Sequence, residues 1–126
     1  MGEVNLKLER EGNALLIPVS FGPGNEVLMV LDTGAGVSMI STRLAERLKA
    51  RQVGMMKIST ANGMVRVPQV EVSEVSVKQF AVRNLRITVN DMSGGGRAQG
   101  LLGVDFLNHF RMSLDTETGQ LHLERK

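Results

Sequence analysis

Short segments in which apolar and polar residues alternate dominate the chain, and such alternation is typical of half-exposed strands. Other short segments are more continuously apolar and predict buried strands. A change of phase at Ser73-Glu74 predicts a bulge or bend within one long strand. In chain order, the predicted strands cover residues 4–8, 14–21, 27–31, 37–40, 55–60, 64–67, 70–77, 85–89, 112–115 and 121–123.

Two helical segments interrupt the strands. Ser41 or Thr42 is expected to cap a helix that ends near Arg51, because a hydroxyl side chain can satisfy the free N–H groups of a first helical turn. Asp105 is expected to cap a second helix of one or two turns. The sequence therefore predicts an all-β fold with one definite and one brief helix, formed by a single domain over residues 1–126.

Composition narrows the classes of function. With 42% hydrophobic and 22% charged residues the chain is globular, and its apolar runs are far shorter than the roughly 18 residues of a membrane span. The net charge is only +2, and with four Phe and neither Trp nor Tyr the chain has few aromatic side chains on which bases could stack. We therefore expect no nucleic-acid partner. No Cys is present, and His109 and His122 lack the spacing of paired helical metal ligands. We therefore expect no metal and no other cofactor.

The sequence assigns no compartment. No signal peptide is visible, and we expect no membrane contact by this segment. A periplasmic location, or a membrane tether within a longer parent protein, is left open.

The run Leu31-Asp32-Thr33-Gly34-Ala35 carries the most specific chemistry in the sequence. It places a carboxylate on the turn after an apolar strand, where an ionised Asp needs hydrogen bonds to offset its desolvation. We expect the backbone N–H groups of Gly34 and Ala35 to point at this carboxylate, and the Thr33 hydroxyl to reach a neighbouring backbone group. The alternative is an Asp that only opens a turn, which is an everyday role for Asp and Gly.

Two later features give this Asp its context. Asn62-Gly63 predicts a tight hairpin turn, because both residues tolerate positive φ. A second apolar segment that ends in glycine follows much later, at Leu101-Leu102-Gly103. With these three features in this order, the chain resembles the retropepsin-like aspartic proteases, single-domain proteins of retroviruses and many bacteria. The resemblance extends from about Ala14 to Leu123, and the hairpin and the late run are most similar to the bacterial members.

The resemblance implies a homodimeric acid-protease half-barrel and assigns roles to residues. Asp32 would be the catalytic aspartate, and the loop residues Thr33, Gly34 and Ala35 would support it. Thr33 would bond across the dimer axis, and Gly34 would orient the carboxylate. The flap that closes over a substrate would be formed by Thr60, Ala61, Asn62, Gly63 and Met64, and the cleft wall by Leu101, Leu102 and Gly103, with Met64 and Val65 adding apolar surface.

The chain departs from the retroviral pattern in its flap, which lacks the multiple glycines of the retroviral one, and at two positions near the expected active site. Retroviral enzymes usually carry an acidic residue soon after the Asp-Thr-Gly-Ala run and an Arg after the late glycine, and these two form an ion pair. Gly36 and Val104 stand at the corresponding places here. The salt links around the dimer interface are therefore expected to differ.

The chemistry independently favours a homodimer. Peptide hydrolysis by carboxylates needs one group to deprotonate a water and another to protonate the substrate. Two carboxyls about 3 Å apart share one proton, as the aspartic proteases illustrate. Asp91 is expected in a polar loop, Asp105 at a helix cap and Asp115 before a turn. The expected second carboxyl is therefore that of a symmetry-related Asp32. The expected substrate is a peptide or protein.

Two other functions are weighed against the aspartic endopeptidase. A catalytically silent dimeric module that binds peptides or promotes assembly would keep the fold and lose the activity. A nucleotide phosphate loop of the actin and sugar-kinase type would need two α/β lobes, for which the chain is too short. The glycines at 94–96 lack the Lys-Ser/Thr of a phosphate-binding loop, and the segment 93–96 is expected to form a flexible connection.

Overall fold

The computed structural model describes residues 2–92 and 96–126, and strands dominate it. The all-β prediction is confirmed. Most of the glycine-rich stretch predicted to be a flexible connection lies outside the described residues. The strands are β1 (Glu3–Lys7), β2 (Glu9–Glu11), β3 (Ala14–Ser20), β4 (Glu26–Leu31), β5 (Met39–Ile40), β6 (Arg51–Thr60), β7 (Gly63–Val77), β8 (Phe80–Val89), β9 (Gly100–Leu102), β10 (Phe110–Asp115) and β11 (Gln120–Arg125), and the helices are α1 (Thr42–Leu48) and α2 (Val104–Leu107).

The strands form two sheets. A sheet of eight strands has the order β2-β3-β4-β9-β5-β8-β7-β6, and a sheet of three strands has the order β1-β11-β10. Strand β9 runs parallel to β4 and antiparallel to β5, while β5 runs parallel to β8. A further contact between Ser20 and Ser76 joins β3 to β7, so the large sheet curves back on itself around the core.

A continuous core joins both sheets and both helices. It is filled mainly by aliphatic side chains, with Leu44 entering from α1 and Leu121 and Leu123 from the small sheet. Phe80 and Phe110 stack with their ring centroids 5.0 Å apart, within the range at which aromatic pairs add to area burial. Burial of this apolar surface is the main force that holds the strands in place.

Helix α1 is shorter than predicted. Ser41 is its N-cap, and the Ser41 hydroxyl accepts a hydrogen bond of 3.1 Å from the Leu44 N–H. Lys49 ends the helix in the left-handed conformation at φ 52°, and Arg51 already begins β6. The prediction of a helix reaching Arg51 missed this early end because Lys seldom adopts such a φ.

The second helix begins differently from the prediction. Gly103, rather than Asp105, is the N-cap of α2, and Asp105 lies inside the first turn. The Asp105 carboxylate instead binds Ser38, which is 67 positions away in the sequence. The prediction of Asp105 as the N-cap is therefore wrong, because the helix begins two residues earlier. From inside the first turn the Asp105 Oδ1 still accepts from the Phe106 N–H at 2.9 Å, beside its bonds to Ser38.

Strand β7 pairs regularly with β8 where a bulge or bend was predicted. Strand β7 pairs with β8 in one register from Gln69 to Val77, with the same alignment on either side of Ser73. The register shift lies instead in β6, between Gln52 and Gly54. The change of phase near Ser73 therefore reflects a strand that becomes buried on both faces towards its end, not an inserted residue. Among the described residues, no helix is long and apolar enough to cross a membrane.

Candidate active site

Asp32 lies where two parallel strands end. Val30 and Leu31 of β4 pair with Leu101 and Leu102 of β9. The Asp32 N–H extends this ladder by donating to the Leu102 carbonyl at 2.9 Å. The apolar strand before Asp32 and the late apolar run are therefore neighbours in space, and together they fix the backbone of the aspartate.

The side chain of Asp32 is half-buried and held by its own turn. The Gly34 N–H donates to the Asp32 Oδ1 at 3.0 Å, as expected. The Ala35 N–H donates instead to the Asp32 backbone carbonyl at 3.2 Å, so the expectation that it points at the carboxylate is wrong. Of the two backbone N–H groups, only that of Gly34 binds the carboxylate, while that of Ala35 forms the hydrogen bond that closes the turn. Thr33 is exposed at the tip of this turn.

The far side of the turn packs tightly on the start of α2. The Val104 N–H donates to the Ala35 carbonyl at 2.9 Å. Gly103 lies so close to the same carbonyl that a Cβ there would come within 2.5 Å of the oxygen. The two departures from the retroviral pattern, Gly36 and Val104, therefore flank a contact made by the backbone and not by charged side chains.

A cleft of about 490 Å³ opens on one side of Asp32. Its floor is the Asp32 turn, its roof is the middle of β6, and β5, β8 and β9 supply the rest. The lining residues are Asp32, Gly34, Ala35, Gly36, Val37, Met39, Met56, Lys57, Ile58, Ser59, Thr88 and Leu101.

A second concavity of about 550 Å³ opens on the other side of Asp32. It is lined by Glu11, Asn13, Ala14, Leu15, Val30, Leu31, Asp32, Thr33, Leu114 and Thr116. Asp32 thus lies on the border between two open cavities, where its carboxylate can contact a molecule bound in either one.

The hairpin predicted to be a flap has its tip away from the cleft lining. Thr60 pairs with Gly63 across a two-residue turn, and the Thr60 hydroxyl donates to the Gly63 carbonyl at 2.8 Å. The positive φ falls on Gly63 alone, at 109°, and not on Asn62, which corrects the expectation for both residues. Met64 beside the tip is 64% exposed. The hairpin therefore projects from the sheet edge with apolar surface uncovered.

Sequence reasoning missed the part of the hairpin that meets the cleft. Met56 and Ile58 on β6 line it, together with Met39 and Thr88 from the neighbouring strands. A signal was present, because Met56 and Ile58 follow the strand alternation and share one face. Their proximity to Asp32 depends on how the sheet curves, which no local pattern reveals.

The three predicted cleft-wall residues have different places. Leu101 lines the cleft. Leu102 is fully buried at 0% exposure, and Gly103 is buried against Ala35. Successive residues of a strand point to opposite faces, so Leu101 and Leu102 cannot both face the cleft. The prediction of Leu102 and Gly103 as cleft wall is wrong.

The other aspartates have structural partners. Asp91 accepts hydrogen bonds from the Thr42 N–H and hydroxyl at 2.9 and 3.1 Å, at the start of α1. Asp115 accepts from the N–H groups of Glu117 and Thr118 in the turn before β11. Asp105 is bound to Ser38.

Charge near the second concavity comes from an ion pair. The Arg97 Nε donates to the Glu11 Oε2 at 3.1 Å, and the Arg97 N–H donates to the Glu11 Oε1 at 3.2 Å. These hydrogen bonds lower the pKa of the Glu11 carboxyl, and the side-chain hydrogen bond to Glu11 together with the charge of Glu9 raises the pKa of the Arg97 guanidinium. The pair joins β2 to the segment that precedes β9.

One group of possible metal ligands lies apart from the cleft. Glu3, His122 and Glu124 share the outer face of the small sheet, and one ligand atom from each lies within 4.8 Å of the others. The His122 Nδ1 is 2.8 Å from the Asn5 Oδ1. These side chains line neither of the two cavities that border Asp32.

The chain is similar in sequence to a known protein family and to a curated protein. The model of the gag-polyprotein putative aspartyl protease family matches residues 17–109, and the chain belongs to this family. A curated relative, an uncharacterized protein in the cobV 5′ region of a Sinorhizobium species, is 27% identical over 97% of this chain. The chain spans about half that relative, 52% of its length.

Solved structures agree on the fold. A retropepsin-like aspartic protease from Rickettsia conorii superposes with a TM-score of 0.70 at 22% identity, covering 98% of this chain and 99% of that one. EIAV protease, in complex with the inhibitor HBY-793, superposes with a TM-score of 0.63 at 25% identity, covering 83% and 92% of the two chains. The chain therefore has the retropepsin-like fold.

Proposed function

We propose that this chain is an aspartic endopeptidase that hydrolyses peptide bonds with a water activated by two copies of Asp32 at a homodimer axis. The observation that carries the proposal is the place of Asp32. Its half-buried carboxylate is oriented by the Gly34 N–H and borders two open cavities. Membership in an aspartyl protease family supports the same chemistry.

The second carboxyl comes from a second copy of the chain. One group must deprotonate the water and another must protonate the substrate carbonyl or amine. The other aspartates are engaged in turns and in contacts between elements. A two-fold axis beside the exposed Thr33 would bring Asp32 to its symmetry mate, and the two carboxyls would then titrate as a pair.

The substrate is a peptide bound in extended form. Strand β6 is one of the two edge strands of the large sheet, and an extended peptide can add to such an edge by backbone hydrogen bonds. Met56, Ile58 and Leu101 give the cleft apolar walls, which favours apolar side chains next to the cleaved bond. The tetrahedral intermediate would be held by the two carboxyls and by backbone groups of the hairpin.

Asp32→Asn tests the proposal, with Asp91→Asn as a matched control for the same change at a different aspartate. Both variants and the wild type are assayed on a mixed peptide library. Loss of general acid–base catalysis predicts a fall in cleavage of at least about 100-fold for Asp32→Asn, and little change for Asp91→Asn. Undiminished cleavage by Asp32→Asn refutes the proposal. Peptide binding without cleavage by the wild type identifies the silent module instead.

Mixing the chains tests the shared site. An excess of inactive Asp32→Asn chain draws wild-type chains into mixed dimers that hold only one Asp32, so the activity per wild-type chain should fall. Sedimentation over a concentration series should show a dimer wherever activity is seen. Activity from a chain that stays monomeric, or activity unaffected by excess variant, excludes the Asp32 pair.

A further inference from the structure

Ser38 is a buried junction behind the Asp32 turn. The residue is 2% exposed, yet its N–H and its hydroxyl both have partners. The N–H donates to the Asp105 Oδ2 at 2.9 Å, and the hydroxyl donates to the Asp105 Oδ1 at 2.7 Å. The same hydroxyl accepts a hydrogen bond of 2.9 Å from the Gly103 N–H. A single serine thus joins the segment after Asp32 to the start of α2.

The Ser38 carbonyl adds a third attachment. It accepts from the Thr88 N–H at 3.0 Å and from the Thr88 hydroxyl at 3.2 Å. Thr88 is itself 2% exposed and belongs to β8. Every polar group of Ser38 is therefore engaged with β8 or with the turn from β9 into α2.

These bonds lead directly to Asp32. The segment that Ser38 and Asp105 hold contains Leu102, whose carbonyl accepts from the Asp32 N–H at 2.9 Å. It also contains Val104, whose N–H donates to the Ala35 carbonyl at 2.9 Å. Both ends of the Asp32 turn thus rest on residues 102–104, and Asp105 fixes that segment to Ser38.

We infer that Ser38 and Asp105 are a positioning pair that sets the orientation of the Asp32 carboxylate. An ionised carboxylate that takes two hydrogen bonds from one residue makes short, directional contacts. Small displacements of a catalytic group reduce the rate steeply, so a loosened pair would slow the chemical step more than it weakens substrate binding. The catalytic part of this inference rests on the proposed function.

The chain contains its own control. Asp91 binds the N–H and hydroxyl of Thr42 as Asp105 binds Ser38, but at the start of α1. Asp105→Asn and Asp91→Asn make the same chemical change to a carboxylate that takes an N–H and a hydroxyl hydrogen bond from one residue, although Asp105 also accepts from the Phe106 N–H at 2.9 Å. Ser38→Ala and Ser76→Ala likewise remove a hydroxyl from two buried serines, 2% and 7% exposed.

Amide hydrogen exchange supplies the readout that does not depend on catalysis. Asp105→Asn and Ser38→Ala should speed exchange at the Asp32, Ala35 and Val104 N–H groups by at least about tenfold. Exchange in β10 and β11 should stay as in the wild type, and neither control should alter the Asp32 turn. Unchanged exchange at those three groups overturns the inference, even if the wild type cleaves no peptide.

Kinetics supply the second readout. For dimers whose active sites have been counted with a tight-binding inhibitor, Asp105→Asn should lower kcat about tenfold or more and leave KM within about twofold. Loss of dimer affinity or folded fraction with an unchanged kcat per site overturns the inference in favour of a purely structural role. If Ser38→Ala does not fold, Asp105→Asn still tests the inference, because Asp105 is only half-buried and its substitution should disturb folding less.

Discussion

Gly103 lies directly against the backbone carbonyl of Ala35, with no space for a side chain between them. A Cβ on Gly103 would come within 2.5 Å of the Ala35 oxygen and within 3.3 Å of the Ala35 Cβ. The contact places the start of α2 behind the turn that carries Asp32. Glycine is required here for close approach of two backbones, because the Gly103 φ of −103° is open to any residue.

Gly103→Ala should therefore push the Asp32 turn away from α2. Overpacking of this kind typically costs about 1–3 kcal/mol in the free energy of unfolding, and the displaced carboxylate should also lose activity. Urea denaturation and peptide cleavage measure the two effects. Gly36→Ala is the control, since a Cβ there meets nothing within 4 Å, and its stability should stay within about 0.5 kcal/mol of wild type. Equal stability for both variants would show that the close contact is relieved by a harmless shift.

The hairpin tip depends on a glycine for a different reason. Gly63 has φ 109° and open space around it, so Gly63→Ala should cost about 1–2 kcal/mol of local backbone strain. We expect faster amide exchange in residues 58–66 and weaker substrate cleavage, with little change in the core.

Gly54→Ala is the matched change in the same hairpin. Gly54 lies on β6 without positive φ, and an added Cβ would make an ordinary contact of 3.5 Å with the Gln69 side chain. Its exchange rates should match those of the wild type. If Gly63→Ala behaves like Gly54→Ala, the turn can adopt another conformation and the glycine is dispensable.

Local patterns were sufficient for the features that depend on neighbours in sequence. The alternation of apolar residues predicted the strands, and Ser41 marked the start of α1 correctly. The sequence also predicted the apolar strand before Asp32 and the apolar segment that ends at Gly103, because both belong to short motifs with a defined backbone.

Local patterns could not predict contacts between segments that are distant in the sequence. Asp105 has the sequence signature of a helix cap, and only the approach of Ser38 from 67 positions away gives it another role. Leu101 and Leu102 look alike in sequence, and they face opposite sides only once β9 lies between β4 and β5. The roof of the cleft was missed for the same reason, because Met56 and Asp32 line one cleft only through the curvature of the large sheet.

The pair of Glu11 and Arg97 predicts a pH-dependent contribution to stability. Hydrogen bonds from Arg97 hold the pKa of Glu11 below its ordinary value. The contribution is therefore present above the unfolded-state pKa and is lost as the pH falls through the lowered pKa of the folded state. Glu11→Gln should reduce Tm slightly at pH 7, and the difference from wild type should shrink with acid and with added salt, because the pair is exposed.

Glu26→Gln controls for the removal of an exposed negative charge. Glu26 is exposed on β4 and forms no ion pair within the described residues. Its Tm should follow that of the wild type from pH 7 down to pH 3. If the Tm of Glu11→Gln stays below that of the wild type by the same amount in strong acid, Glu11 stabilises the fold by packing and not by its charge.

The neighbouring leucines of β9 offer a direct test of which side faces the cleft. Leu102 is fully buried, so Leu102→Ala should leave a cavity and cost about 2–5 kcal/mol in urea denaturation. Leu101 is half-buried and lines the cleft, so Leu101→Ala should cost less than about 1.5 kcal/mol and should raise KM for substrates with large apolar side chains. The two variants differ by one position in the same strand, and each is the control for the other. Equal losses of stability, or an altered KM for Leu102→Ala alone, would show that β9 presents its other face to the substrate.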